Sequence, residues 1–251
     1  MSVASLFIGN NSIELDSVDS TNNYAKELLQ KKKPVEGTIV YAHEQTSGRG
    51  QMGNSWQAEK NKNLTLSIIL YPSFLDADKQ FFLNMAVSLG VKDFCESVLG
   101  EEIKIKWPND IYYQNGKLGG VLIENTISGS RVTSSVIGIG LNINQANFGS
   151  DAPNASSFYL IANKEYQLKT LMEILSLFIE KYYLQLRQLH FNFLDKAYME
   201  ALYRYQQTFE FKKGAQTFRG EINGVTKEGK LIIHSKGKEQ RFAFKEVEYV
   251  I

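Results

Sequence analysis

Apolar positions recur along this chain at two periods, and the switches between them mark its elements. Residues 5–15 alternate weakly and predict a short strand. Asp19, Ser20 and Thr21 then offer capping side chains to a helix bearing Ala25, Leu28 and Leu29, which Pro34 and Gly37 close. β-Branched and aromatic content predicts strands over 38–43 and 64–70. Between them lies a polar, glycine-containing stretch, 44–63, too long for a hairpin turn; loops of that length in compact domains are functional or disordered. Helical spacing of Phe82, Met85, Ala86, Leu89 and Val98 predicts an amphipathic helix over 81–99 with Cys95 packed on it. Three short strands follow at 103–107, 110–113 and 117–123, the last two joined by a turn at Gln114-Asn115-Gly116. A further strand is predicted over 132–142, and helices over 168–189 and 193–205. From 209 onward, glycines at 214, 220, 224, 229 and 237 break up short strands in the manner of a small β-barrel. The change of character sets a domain boundary near residue 207, dividing 1–207 from 208–251.

Composition narrows the classes. With 251 residues, 43% hydrophobic and 22% charged, the chain has enough apolar surface to bury a sizeable core. Its 28 basic and 27 acidic residues leave a net charge of +1, which provides no basic footprint for a long nucleic acid. The single cysteine, Cys95, has no partner for an internal disulfide, and no Cys/His cluster has metal-ligand spacing. A reducing, cytoplasmic setting is the reading these features favour. The first residues lack a basic start and an apolar core segment of the secretory type, and no apolar run approaches the roughly 18 residues of a membrane span.

Two segments carry candidate chemistry. The first is Gln45-Thr46-Ser47-Gly48-Arg49-Gly50-Gln51-Met52-Gly53-Asn54-Ser55-Trp56, where glycines let backbone amides approach an anion and Arg49 can fork across a carboxylate or phosphate. It is not a Walker loop, since no Gly-Lys-Ser/Thr follows, and a solvated turn would account for the same residues. The second is Lys106-Trp107-Pro108-Asn109-Asp110, followed by Lys117-Leu118-Gly119-Gly120-Val121-Leu122-Ile123-Glu124. It places an amide and a carboxylate at a strand junction, where oxygen ligands suit Mg²⁺; the alternative is a plain turn flanked by solvated lysines. Ser20, Thr21 and Asn22 are equally compatible with a helix cap. His43, His190 and His234 are scattered over different elements, and no Ser-His-Asp or Cys-His pairing stands out.

In this order, Asp19-Ser20-Thr21-Asn22, the Gly-Arg-Gly loop at 48–50, Lys106 to Asp110, Lys117 to Glu124 and residues 138–144 resemble the catalytic core of biotin–protein ligases. The resemblance implies that Ser20, Thr21, Asn22 and Gln45 line a biotin pocket, and that Arg49, Gly50 and Gln51 belong to a loop closing over biotin and its adenylate. It further implies that Lys117 reaches the biotin carboxylate and the α-phosphate, and that Asp110 sits near Mg²⁺. Arg49, Lys117 and Asp110 would be the catalytic set, while Arg49, Trp56, Lys106, Asn109 and Asn142 would serve ATP. The implied activity is ATP-dependent formation of biotinyl-5′-AMP and transfer of biotin to a lysine of a biotin carboxyl carrier domain of a carboxylase. Many members carry a further basic residue where Gln51 stands, so this loop is the less positive. Some members begin with a DNA-binding helix-turn-helix; here the motifs start by residue 19, and a monofunctional ligase that binds neither nucleic acid nor membrane is expected.

The chemistry suits these residue types. A carboxylate is already ionised at neutral pH, so its attack on phosphorus needs no general base, only cancellation of anionic repulsion. Two rivals stay open: a lipoate or octanoate ligase or transferase of the same superfamily, and a non-catalytic biotin-binding sensor. The fold expected is α+β: a mixed, largely antiparallel sheet with helices mainly on one face, of the class II synthetase-like type, followed by a small SH3-like β-barrel. The protein would be a monomer or a homodimer, and an edge strand such as 134–142 would allow pairing across a dimer.

Overall fold

A computed structural model describes residues 5–150 and 152–251. The chain forms β1 (Ser12–Leu15), α1 (Thr21–Lys31), β2 (Ile39–Ala42), β3 (Leu64–Leu70), α2 (Phe81–Leu99), β4 (Ile103–Lys106), β5 (Asp110–Tyr113), β6 (Gly116–Ser128) and β7 (Arg131–Leu141). These are followed by α3 (Phe158–Ala162), α4 (Leu168–Arg187), α5 (Phe191–Ala201), β8 (Thr208–Lys213), β9 (Gln216–Val225), β10 (Leu231–Ser235), β11 (Lys238–Phe242) and β12 (Glu248–Tyr249). Seven strands make one mixed sheet in the order β1-β2-β3-β7-β6-β5-β4, in which only the β1–β2 pair is parallel. The fold is therefore the α+β architecture expected from sequence.

Strand β3 reads Leu-Thr-Leu-Ser-Ile-Ile-Leu without alternation because both of its faces are covered. Ile69 packs with Ala25 and Leu28 of α1, Val40 and Val136 on one side. Leu66 and Ile68 join the larger core under α2 and α4 on the other. Helix α2 is buried nearly all round, since it lies between the sheet and α4, and Gly100 ends it in the left-handed region (φ 69°). Helix α4 shows the opposite pattern, with Leu171, Leu175, Ile179, Tyr182 and Leu186 forming one buried stripe.

Five antiparallel strands in the order β11-β10-β9-β8-β12 build the smaller sheet. Its β10–β11 hairpin turns through Lys236 and Gly237, whose φ angles of 50° and 73° are those of a two-residue turn matched to strand twist. The Trp107 indole donates to Gly229 O at 3.0 Å and stacks edge-on against Phe244, joining this sheet to the β4–β5 end of the larger one.

Four sequence expectations change. The first strand shrinks to Ser12–Leu15 because the buried Glu180 carboxylate accepts the amides of Leu6, Phe7 and Ile8, at 2.6, 2.8 and 3.0 Å, and turns that segment away from the sheet. Ser20 occupies the N-cap of α1 without a capping side-chain bond; Gln45 Oε1 accepts from Thr21 N instead, at 2.8 Å. Residues 134–142 are not an edge: β6 pairs β7 along its length and β3 pairs it over 135–141, so both sides of that stretch are taken. The short α3 and β12 lie in stretches too brief for periodicity to register.

Candidate active site

A cavity of about 160 Å³ opens on the α1 side of the large sheet. Its walls come from the start of α1, the 44–56 loop, β6 and β7, with Phe244 reaching in from the smaller sheet. Gly138 and Gly140 on β7 form part of the floor, and their lack of a side chain is what lets other groups lie flat there. A Cβ on Gly138 would overlap the Asn22 amide, and one on Gly140 would overlap the Trp56 indole.

At one end Ser20, Thr21 and Asn22 are almost fully buried at the N-terminus of α1. Gln45 Oε1 accepts from both Thr21 N and Thr21 Oγ1, the latter at 3.1 Å. Beneath them Ser67 Oγ lies 2.6 Å from Asn22 Oδ1 and 2.8 Å from Thr21 Oγ1. Ser67 was not singled out from sequence, yet a hydroxyl in a wholly buried strand needs a partner; Thr65 of the same strand finds a backbone one in Ala42 O, whereas Ser67 reaches the side chains of the cavity.

At the other end Lys117 Nζ pairs with Asp110 Oδ1 at 2.7 Å, both groups being about a third exposed. Between the two ends the glycine loop folds back as a miniature hairpin: Arg49 bridges Ser55, Trp56 N donates to Gly48 O at 2.8 Å, and Gly50 N donates to Asn54 O at 2.7 Å. Arg49 Nη1 donates to Asn23 Oδ1 at 2.9 Å and to Glu124 Oε2 at 3.1 Å. The Trp56 ring lies over Gly140, with its Nε1 buried and without a partner in the protein.

Of the residues singled out from sequence, Ser20, Thr21, Asn22, Gln45, Arg49, Gly50, Gln51, Trp56, Asp110 and Lys117 all line this one cavity. Lys106, Asn109 and Asn142 do not. Asn109 is buried and donates to Val121 O, while Asn142 Nδ2 donates to Ser156 O at 3.0 Å. Lys106 stands beside the cavity at the junction of the two sheets, its ammonium 5.1 and 5.2 Å from the Tyr112 and Tyr249 ring centres. Burial there pushes its pKa down, against the opposing pull of Asp110. Among the described residues no cluster of three or more His, Cys, Asp or Glu could hold a metal, and no helix is long and apolar enough to cross a membrane.

An α+β sheet presenting polar helix-start residues, a glycine–arginine hairpin and a Lys–Asp pair to one cavity defines a site for an anionic small ligand. Residues 14–142 match the model of the biotin/lipoate A/B protein ligase family, so the chain belongs to that family. It is 37% identical over 138 residues to the bifunctional ligase/repressor BirA of Bacillus spizizenii, an alignment covering 55% of this chain and 42% of that protein. The chain thus spans less than half the length of that relative. A biotin–[acetyl-CoA-carboxylase] ligase of Paracoccus denitrificans is 26% identical over 233 residues, covering 90% of this chain and 95% of the other. In architecture the chain matches the biotin protein ligase of Aquifex aeolicus solved with biotin and ATP: TM-score 0.79 and 24% identity, covering 96% of this chain and 100% of that one.

Proposed function

We propose that this protein is an AMP-forming biotin–protein ligase whose acceptor is a lysine of a biotin carboxyl carrier domain, acting in the cytoplasm. The observation that carries the reading is the convergence, on a single cavity, of a neutral hydrogen-bonding end at residues 20–22 and 45 and a charged end at Lys117 and Asp110. That polarity fits a ligand with an uncharged polar head and an acidic tail. The names of the Bacillus and Paracoccus relatives and the ligands of the Aquifex structure are consistent with biotin and ATP.

In the first step a biotin carboxylate oxygen bonds to the α-phosphorus of ATP, the bond to the bridging oxygen breaks, and pyrophosphate leaves. Nucleophile and electrophile are both anionic, so the contribution of Lys117 and Arg49 is fixed positive charge in a partly dry site. Asp110 holds Lys117 over the cavity, and its carboxylate would be the protein's ligand to Mg²⁺, an ion that binds through one or two carboxylates together with phosphates. When bound, the ion would neutralise further phosphate charge. Asn109 and Asn142 serve the nucleotide by fixing the backbone around Val121 and Ser156, and Lys106 adds cationic charge from the sheet junction. Gln51 and Gly50 carry the loop hairpin, and Trp56 covers the floor over Gly140. In the second step the acceptor amine attacks the acyl carbon, AMP departs, and the amine gives up its proton.

A transferase that passes the acyl group through a thiol is disfavoured, because Cys95 is fully buried in α2 and burial pushes its thiol far up. ATP–pyrophosphate exchange with Mg²⁺ tests the proposal, with biotin and lipoate supplied separately. Exchange that depends on biotin is expected. Exchange with lipoate alone would select a lipoate ligase, and none with either acid would overturn adenylation.

A further inference from the structure

The Glu124 carboxylate of β6 takes part in no step above, yet three donors from two other elements meet on it. Its Oε1 accepts from Lys26 Nζ of α1 at 2.9 Å. Its Oε2 accepts from two donors at once, Asn22 Nδ2 at 2.9 Å and Arg49 Nη1 at 3.1 Å. The first of these donors belongs to the ligand-facing start of α1 and the second to the glycine hairpin, so a single oxygen links the floor of the cavity to its cover. The Asn22 amide has its other end committed to Ser67, which fixes which way it faces. Burial alone would raise the Glu124 carboxyl, but the bonds from Lys26, Asn22 and Arg49 outweigh it and hold the group below the ordinary carboxylate range, so it is ionised at neutral pH.

We infer that Glu124 is a positioning residue: it orients the Asn22 amide for the ligand head and parks Arg49 over the cavity until a phosphate or carboxylate of the ligand draws it away. Moving Arg49 from one oxyanion to another exchanges like for like, whereas moving it from solvent would cost its hydration and side-chain freedom. Lys26 matters too. When a ligand oxyanion draws Arg49 away, Lys26 stays on the other oxygen, so Glu124 is not left as an unpaired charge. The identity of the ligand rests on the proposed ligase activity, but the latch itself does not.

Trypsin provides a ligand-free test, because Arg49 is a cleavage site only when the hairpin opens. In Glu124→Gln, which keeps the shape and removes the charge, cleavage after Arg49 is expected to quicken by on the order of ten-fold, the range for losing a hydrogen bond to a charged group. Cleavage after Lys92, in the middle of α2, would stay at the native rate and so exclude global unfolding. With biotin, KM is expected to rise by a similar factor with little change in kcat, and the effect should vanish in an Arg49→Ala background as far as it acts through that residue. Glu124→Asp should restore part of the protection. Native cleavage and native KM in folded Glu124→Gln would overturn the inference; equal acceleration at Arg49 and Lys92 would reduce Glu124 to a stabilising residue and overturn it as well. If the native protein neither binds biotin nor exchanges pyrophosphate, the ligase reading fails, while the cleavage result still decides the latch.

Discussion

Lys117 sits in the cavity with a third of its side chain exposed, tied to Asp110 by a single 2.7 Å contact. A pair this exposed contributes about 0–1 kcal/mol to stability. The same ammonium is one of two cations assigned to the anionic reacting groups, and loss of such a preorganised charge costs about 100-fold or more in rate. Lys117→Ala is therefore expected to unfold in urea within about 1 kcal/mol of the native protein while its pyrophosphate exchange falls about 100-fold. Near-native exchange in the folded variant would remove Lys117 from the catalytic set. Lys106 shows where residue-by-residue reading stops: in sequence it is one more lysine beside a motif, whereas in the fold burial pushes its pKa down against the pull of Asp110, and two tyrosine rings flank its ammonium.

Among the elements, α4 does the least visible work. Its sequence advertises an apolar stripe, but the decisive residue on that stripe is Glu180, buried and shared by three consecutive amides of the segment before β1. Glu180→Ala would leave those amides to find water or go unpaired, at a cost of about 2 kcal/mol or more. Faster hydrogen exchange at residues 6–8 is expected together with that loss, read by denaturation; unchanged protection there would show that the segment is held by its apolar side chains. The same clamp explains why alternation over 5–15 overstated the first strand. Period-2 patterning reports which side chains are apolar, not which partner takes the backbone amides.

Across the whole molecule the two sheets are not independent in packing. Phe211, Ile222, Leu231, Ile233 and Phe242 of the smaller sheet belong to the same contiguous core as α2, α4 and the larger sheet. Trp107 donates to Gly229 O at 3.0 Å and Arg204 Nη1 to Val250 O at 2.8 Å, so polar contacts cross the junction as well. Thermal unfolding is expected as one cooperative transition, with Trp fluorescence and far-UV circular dichroism coinciding. Two resolved transitions would show that the stretch from Thr208 onward folds on its own, as the domain division at 207 proposes.

Local pattern was enough to locate the strong elements: the 20-residue α4 by its single apolar stripe, and the 19-residue α2 and the seven-residue β3 by their mostly apolar runs. Yet α2, expected to be amphipathic, is buried nearly all round and β3 does not alternate, since both are covered on two sides. The motif blocks were equally legible, because glycine, arginine, lysine and aspartate at fixed spacing carry chemistry that few other arrangements would use. Tertiary structure alone decided the rest. It made β7 an interior strand, put Glu124, Ser67 and Asn23 into the site's hydrogen-bond network, and drew Asn109 and Asn142 away from the cavity into backbone contacts. The physical reason is that side-chain identity fixes what a group can donate, accept or bury, while its partners are set by strand order and helix placement between residues as far apart as Asn22 and Glu124.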